Sequence, residues 1–448
     1  MKTGLRWGCV FVFAAIITGA PNAYAVPSFA RQTGLPCSSC HTTIPELTPF
    51  GRLFKLNGYT TSTLTQISEK GGGGKTGVNI ANFLPISVLL QVSDTELTKP
   101  VPSTQNGSVE FPQQASLFLA GAFSNHIGGF VQVTYSGQAD HFSWDNTDIR
   151  ISNAGKFAGK TMVYGLTLNN NPTVEDLWNS TPAWGFPYVS SDVAPSPVAS
   201  TVIDTTLAQD VAGAGAYAMW NDHLYGALSV YRSEHLGGPQ PNPGVGANFN
   251  IAGIAPYWRL AWQQTFGNNY LEVGSYGMKV NSTPNAVLGP QDNYTDIAAD
   301  FQYERVLPQW HNHILTLHGT YIHESSTLNA TFGNVEADLA PHILQTVRGD
   351  VAYHFGNRYA LTAGGFQTNG TTDATLYGSG TPVTGSANGS PKTNGYIANA
   401  SYWIVQNVQL GAQYTGYLKF NGAGKNYDGT GRNASQNNSV YLVVWILF

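Results

Sequence analysis

The chain has 448 residues, with 21 Lys and Arg against 26 Asp and Glu, 12% aromatic residues, 50 Gly and three Cys. Only 10% of it is charged, against roughly a quarter of an average soluble protein, and the acidic balance disfavours nucleic acid as a partner. Beyond the N-terminus no apolar run is long enough for a helical span, so the composition points to a membrane β-barrel.

The first 25 residues read as a secretory signal. Lys2 and Arg6 precede the apolar stretch from Trp7 to Ala20, and Ala23-Tyr24-Ala25 is an A-x-A cleavage site. The apolar stretch falls short of the ~20 residues an uncleaved anchor needs. Removing the signal takes Cys9 with it and leaves 19 basic against 26 acidic residues, a net of −7.

Residues 26–70 carry the chemistry. Cys37-Ser-Ser-Cys40-His41 is C-x-x-C-H, the attachment signature for c-type haem. The two thiols bond to the haem vinyl groups, and the imidazole beside the second ligates the iron. A structural zinc site wants four Cys or His ligands, and no second pair lies nearby. A redox-active thiol pair or a plain disulfide needs neither His41 nor an export signal. The expected cofactor is one covalent haem c, with Cys37 and Cys40 as its anchors and His41 as the metal ligand.

A short helix is expected next. Thr48 suits the N-cap, Pro49 the first helical position and Asn57-Gly58 the stop. Phe50, Leu53 and Phe54 fall at i, i+3 and i+4 on one apolar face, which is expected to cover the porphyrin. Arg52 and Lys55 lie off that face, as partners for haem propionates or as solvated charges. Between Val26 and Lys75 there is no Met and no second His, so a sixth iron ligand would have to come from downstream.

The residues Pro27–Gly34, Cys37–His41 and Pro45–Tyr59 resemble the N-terminal signature of the fused monohaem cytochrome–porins, outer-membrane proteins associated with extracellular iron(II) oxidation. The match covers about 35 residues closely and is architectural beyond them. The resemblance implies a haem barrel that moves electrons from an extracellular donor, iron(II) suspected, to a periplasmic cytochrome.

Gly71–Gly74 marks a flexible linker, placed at 71–77. From residue 78 to 448, about sixteen strand-like segments of roughly 9–14 residues alternate between short turns and long loops. Short turns are expected near 125–128, 220–222, 266–268, 309–311, 355–357 and 405–407. Long loops are expected near 93–111, 170–208, 234–251, 281–292, 324–340, 368–393 and 420–438. Period-2 alternation is clearest in four segments. In 294–305, Asp296, Asp300, Gln302 and Glu304 oppose Ile297, Phe301 and Tyr303. In 343–354, Thr346, Arg348, Asp350 and His354 oppose Ile343, Val347, Val351 and Tyr353. In 257–263, Arg259 and Gln263 oppose Trp258, Leu260 and Trp262. In 408–420, Gln409, Gln413, Thr415 and Lys419 oppose Val408, Leu410, Ala412, Tyr414, Leu418 and Phe420. A polar face opposite an apolar one fits a wet lumen inside lipid. The final strand ends in Phe448 and is apolar on both faces, with Tyr441, Val443 and Trp445 inward by parity, placed to touch a plug.

By the same parity His354, His318 and Met278 face the lumen and are candidates for the sixth ligand, whereas Met162 faces lipid. His311-x-His313 sits at a turn without a third metal partner, and Glu175-Asp176 is expected to be solvated in an external loop. The expected architecture is all-β: an outer-membrane antiparallel barrel of about sixteen strands, with a small N-terminal haem-binding helical segment in the lumen or on the periplasmic side. Two functions fit it. One is electron transfer; the alternative is a solute porin whose haem segment is a plug or sensor. A haem peroxidase would need a distal acid–base residue, and none can be placed.

Overall fold

The computed structural model describes residues 28–61, 66–70, 76–81, 84–104, 106–233, 250–284, 288–310, 313–356, 358–378 and 382–448. The export signal at 1–25, the glycines 71–74 and His311 lie outside the described residues.

Three short helices come first: α1 (Ser28–Thr33), the single turn α2 (Cys37–Cys40) and α3 (Pro49–Leu56). Helix α3 has the expected ends. The Thr48 side chain accepts from the Gly51 N–H at 3.2 Å, Pro49 opens the helix, and Asn57 closes it. A two-stranded hairpin follows, β1 (Gln66–Lys70) with β2 (Thr76–Ala81). The strand character begun at residue 76 is therefore used in a separate hairpin, and the barrel itself starts later.

Sixteen strands then close on themselves. They are β3 (Ile86–Leu97), β4 (Ser108–Ala122), β5 (Ile127–Ser136), β6 (His141–Phe157), β7 (Lys160–Asn169), β8 (Val211–Trp220), β9 (Leu224–Ser233) and β10 (Ala255–Phe266). The circle continues through β11 (Asn269–Ser282), β12 (Asp292–Leu307), β13 (His313–Leu328), β14 (Pro341–Phe355), β15 (Tyr359–Gly370), β16 (Thr393–Val405), β17 (Val408–Lys419) and β18 (Ser439–Leu447). Each strand pairs antiparallel with its sequence neighbour, and β18 pairs with β3 to close the barrel. Closure leaves no open sheet edge, which an antiparallel wall in lipid cannot tolerate.

Short and long connections alternate except around β5 and β6, where the three successive connections 123–126, 137–140 and 158–159 are all short. A further short turn, Ala158-Gly159, joins β6 to β7; both residues have positive φ, at 50° and 75°, which fits a two-residue hairpin that follows the strand twist. Several strands outrun the sequence expectation: β3 continues to Leu97 and β13 to Leu328, so part of the segments expected as loops is paired wall.

The parity expectations hold along β10, β12 and β14. Arg259, Asp296, Asp300, Gln302, Thr346 and His354 are buried inward, while Leu260, Ile297, Phe301, Ile343, Val347 and Val351 are exposed outward. Phe420 departs from its expected lipid face and is fully buried with Tyr427 and Ala434. The cause is a register shift: Asn394 pairs with Lys419 and Gly395 with Tyr417, so Leu418 is an extra residue that reverses the parity beyond it. Outward aromatic residues lie towards both ends of the barrel, Phe111, Phe142 and Trp144 near the long loops and Phe266, Phe355 and Tyr359 near the short turns. An apolar band between aromatic girdles on a closed antiparallel wall is the construction of a membrane-spanning barrel.

The lumen is not empty. Residues 28–61 pack inside it together with the long loop 170–210, which folds inward. Trp178 and Val174 of that loop are fully buried, Trp178 in a cluster with Leu56, Tyr217 and Tyr225. Glu175 and Asp176, expected to be solvated, are each 1% exposed. Asp176 is buried against a wall cation, whereas the Glu175 carboxylate accepts from Ser229 at 2.6 Å and Asn169 at 3.0 Å. Arg259 on β10 is 3.2 Å from Asp176, 2.7 Å from Asp300 and 3.4 Å from Glu272. Arg150 on β6 pairs with Asp148 at 2.8 Å and donates to the Glu175 and Lys55 carbonyls. Near the long-loop end, Glu324 and Asp296 accept from the Val202 and Ile203 N–H groups at 2.7 and 2.8 Å, and Asp204 pairs with Arg348.

Replacing Arg259 with Ala would leave Asp176, Glu272 and Asp300 facing one another without their cation. The expected loss is about 3–5 kcal/mol, measured as lowered resistance to unfolding in detergent. Lys55 supplies a pH test. Its ammonium donates to the Val174 and Asp176 carbonyls at 2.7 and 2.6 Å, yet burial, with Arg150 nearby, pushes its pKa from 10.5 down to about 7. A lysine whose docked pKa lies below its free value favours docking increasingly as pH rises from about 7 to 10.5. Residues 28–61 should therefore resist protease better at the top of this window than at neutral pH, and Lys55→Met should flatten the dependence.

Candidate functional site

The C-x-x-C-H stretch forms a tight knot. The His41 N–H bonds back to the Cys37 carbonyl at 2.9 Å, closing α2, and His41 then pairs in a bridge with Leu47. Thr48 ties the start of α3 to this turn: its N–H donates to the Cys40 carbonyl at 2.9 Å and its hydroxyl to the Ser39 carbonyl at 2.5 Å. Helix α3 lies so close that a Cβ on Gly51 would fall 2.3 Å from the Cys40 oxygen. Gly51 is needed there for approach.

Cys37, Cys40 and His41 line one cavity of about 450 Å³ inside the barrel. Its walls are supplied mostly from elsewhere: Phe29 from α1, Phe118 and Phe130 from β4 and β5, Trp445 from β18, and Trp184 from the inward loop. These contributions come from the short-turn end of the barrel, since Phe118, Phe130 and Trp445 all lie towards the short-turn ends of their strands. Tyr441, Val443 and Trp445 do face inward, and Ile44 and Val189 pack on them.

The ring orientation of His41 is defined. Its Nδ1 lies 3.3 Å from the Pro45 carbonyl, and because a carbonyl only accepts, Nδ1 carries the proton and Nε2 keeps its lone pair. Burial lowers the His41 pKa, against the opposing pull of the Pro45 and Glu46 backbone groups and the Glu46 charge. Both thiols are free, and burial pushes each up to about 11, with the Cys37 charge adding to the shift at Cys40.

The other residues singled out from sequence fall around this cavity. Phe54 is 6% exposed and packs on Phe29 at 5.3 Å and Tyr59 at 6.0 Å, so it backs the wall that Phe29 presents. Phe50 and Leu53, on the face expected to cover a porphyrin, are 38% and 51% exposed. Arg52 is neither solvated nor directed at the cavity. Its guanidinium pairs with Glu304 on β12 and lies over the Tyr270 ring at 4.4 Å. Lys55, taken up by the inward loop, is likewise buried.

His354, His318 and Met278 all point inward, but none lines the cavity. His354 Nε2 is 3.4 Å from the Glu46 carboxylate, His318 Nδ1 is 3.0 Å from Asp350, and Met278 packs with Tyr257 and Tyr276. Burial alone would raise the Glu46 carboxyl; the neighbouring imidazoles of His354 and His318 bring it below its ordinary range.

Asn179 was not visible as a site residue. It sits in the inward loop at φ 58°, 3% exposed. Its Oδ1 accepts from the Leu47 N–H at 2.9 Å, and its Nδ2 reaches the Trp184 carbonyl at 3.1 Å and the Pro45 carbonyl at 3.5 Å. One side chain thus grips the turn that orients His41 and the segment that brings Trp184 to the cavity. The available signal was Leu177-Trp178 in a stretch expected to be an external loop: two large apolar side chains there call for burial.

No family model matches the chain, and no curated protein matches it. Among solved structures, OmpF of Salmonella typhi in complex with daunomycin aligns at 12% identity over 86% of this chain and 100% of that one, with a TM-score of 0.47. The anion-selective porin from Comamonas acidovorans aligns at 10% identity over 81% and 98%, with a TM-score of 0.47. The outer-membrane channel DcaP of Acinetobacter baumannii aligns at 11% identity over 81% and 96%, with a TM-score of 0.44.

Replacing Asn179 with Ala removes the acceptor for Leu47 and the donor for Trp184. The expected cost is about 1–3 kcal/mol, checked by thermal unfolding of the reconstituted barrel against Asn179→Asp, which keeps the acceptor.

Proposed function

We propose that this chain is an outer-membrane barrel that holds one covalent haem c in its plugged lumen and transfers electrons from an extracellular donor, iron(II), to a periplasmic cytochrome. The observation that carries this is the convergence of Cys37, Cys40 and His41 on one aromatic-walled cavity, with Nδ1 of His41 committed to Pro45. The donor set suits the group: two thiols for thioether bonds and a neutral imidazole with Nε2 free, its other nitrogen held as ligating histidines are held. Haem bound there would supply a one-electron couple. Phe29, Phe118, Phe130 and Trp184 exclude water around it, and exclusion of solvent is one of the levers that set a haem potential. The Pro45 carbonyl, itself reached by Asn179, fixes the imidazole's tautomer.

The barrel solves a problem of distance. The apolar band of such a wall is ~25 Å tall, and a soluble carrier on one side cannot exchange electrons with a donor on the other. A redox centre carried in the lumen shortens that gap while the wall shields it from lipid.

The second reading is a solute channel with a haem-bearing plug. Its support is the wall itself, because barrels of 16–18 strands of this kind leave an aqueous channel. Against it stand the buried Arg259–Asp176 ion pair and the Arg150 hydrogen bonds to the Glu175 and Lys55 carbonyls, which fasten the 170–210 loop and residues 28–61 inside the lumen.

The two separate in one preparation. In liposomes, external iron(II) should reduce the haem of the wild-type protein, followed by its absorbance. Cys37→Ser with Cys40→Ser should abolish haem that survives a denaturing gel. Wild-type protein with no covalent haem, or with a large solute conductance that the double variant leaves unchanged, would overturn the electron-transfer function in favour of the channel.

A further inference from the structure

Charge is shared unequally between the two ends of the barrel. At the short-turn end, the exposed ionic side chains among the described residues are Lys156, Lys160, Arg305 and Arg358, against Asp222 alone. At the long-loop end the signs balance, with Lys99, Arg232, Lys279, Lys419 and Lys425 among Asp140, Asp192, Glu336 and Asp338. The cationic end belongs to a chain that is acidic as a whole, so its sign is a local feature and not a reflection of composition.

This is also the end at which the site reaches the surface. Cys37, which lines the aromatic cavity, lines a second cleft of about 190 Å³ together with Ser38, Arg358, Trp403, Val405 and Gln406. Arg358 sits in the turn between β14 and β15, its carbonyl accepting from the Trp403 N–H at 2.8 Å, with its side chain exposed. Lys156 has the inward parity of Arg150 and Ser152, so it hangs below the lumen mouth and not into the lipid face.

We propose that this rim, centred on the Arg358 cleft, docks an acidic soluble one-electron carrier protein. The proposal rests on the electron-transfer function and names its periplasmic partner by charge. With haem held by Cys37, Cys40 and His41, the site would supply one electron to the carrier's own redox group, with no bond made or broken. Arg305 and Lys160 share the outward parity of Phe301 and Phe157, so the cations at the opening are Arg358 and Lys156. They raise the local concentration of an acidic partner and orient it, an effect that acts chiefly on association and weakens with salt. Anionic lipid headgroups are the competing occupant of such charges. They are disfavoured because Arg358 shares its cleft with Cys37, a residue of the lumen and not of the lipid-facing wall.

The test uses the full chain in nanodiscs of zwitterionic lipid. The probe is a small soluble c-type cytochrome with its lysines succinylated, so that it is acidic; the unmodified basic form is the control. The acidic probe should bind at low salt, release at high salt, and bind about tenfold more weakly to Arg358→Glu. Lys425→Glu makes the same change in net charge at the opposite end and should leave binding as in the wild type. Equal weakening by both variants, or by neither, would overturn the proposal. So would an Arg358 effect that appears only when anionic lipid is added to the discs.

Binding does not need the haem, so the two claims fail separately. A probe that binds in an Arg358-dependent way but is never reduced removes electron transfer and keeps the docking surface. A probe reduced equally well by wild type and Arg358→Glu does the reverse. Heat-modifiable gel mobility establishes that each variant is folded.

Discussion

Two guanidinium groups on the inner wall, Arg150 and Arg259, have no exposure to solvent at all. An unpaired charge in that position costs far more than a barrel can supply, so everything near them is arranged to answer them. Arg259 takes two carboxylates from the wall and a third, Asp176, from the long loop 170–210. Arg150 takes one carboxylate from its own strand and carbonyls from that loop and from α3. The loop therefore folds inward and the N-terminal segment docks beside it. Breaking either contact would cost a buried guanidinium part of its hydrogen bonding, and for that reason wall, loop and segment behave as one structure.

The site inherits this arrangement. Residues 28–61, with three short helices, have too little apolar side chain to enclose this cavity by themselves. The deficit is met by Phe118, Phe130 and Trp445 of the wall and Trp184 of the loop. The loop contributes order as well as surface, through Asn179 and its hold on the turn that carries Pro45 and Leu47. On the proposed function the C-x-x-C-H motif would supply covalent anchors and one ligand, and the barrel and its inward loop would supply the enclosing wall and the rigidity.

How much of this was legible follows from which interactions are local. Strand faces could be read from β10, β12 and β14 because one face meets lipid and the other meets charge, and side chains alternate with a period of two. Phe420 escaped that rule because one extra residue at Leu418 is enough to exchange the faces. The ends of α3 were legible because capping is decided within a few residues of Thr48 and Asn57. Its apolar face was legible only as a face. That Phe54 would back the cavity while Phe50 and Leu53 stayed half open, and that Arg52 would spend its charge on Glu304, depends on strands far away in the chain.

By itself the sequence determined the all-β class, the approximate strand number, most of the alternation of short and long connections, and the C-x-x-C-H motif on which the proposed function rests. Each of these is written in local periodicity, turn chemistry or a motif a few residues long. The tertiary structure alone decided that the loop at 170–210 turns into the lumen, that Glu175 and Asp176 are buried, and that His354, His318 and Met278 lie apart from the cavity. It also decided that Asn179 holds the turn beside His41. These outcomes come from burying charges and aromatic rings contributed by segments over a hundred residues apart, as in Arg52 with Glu304 at a separation of 252 residues, and no local pattern encodes which distant partner a buried charge will find.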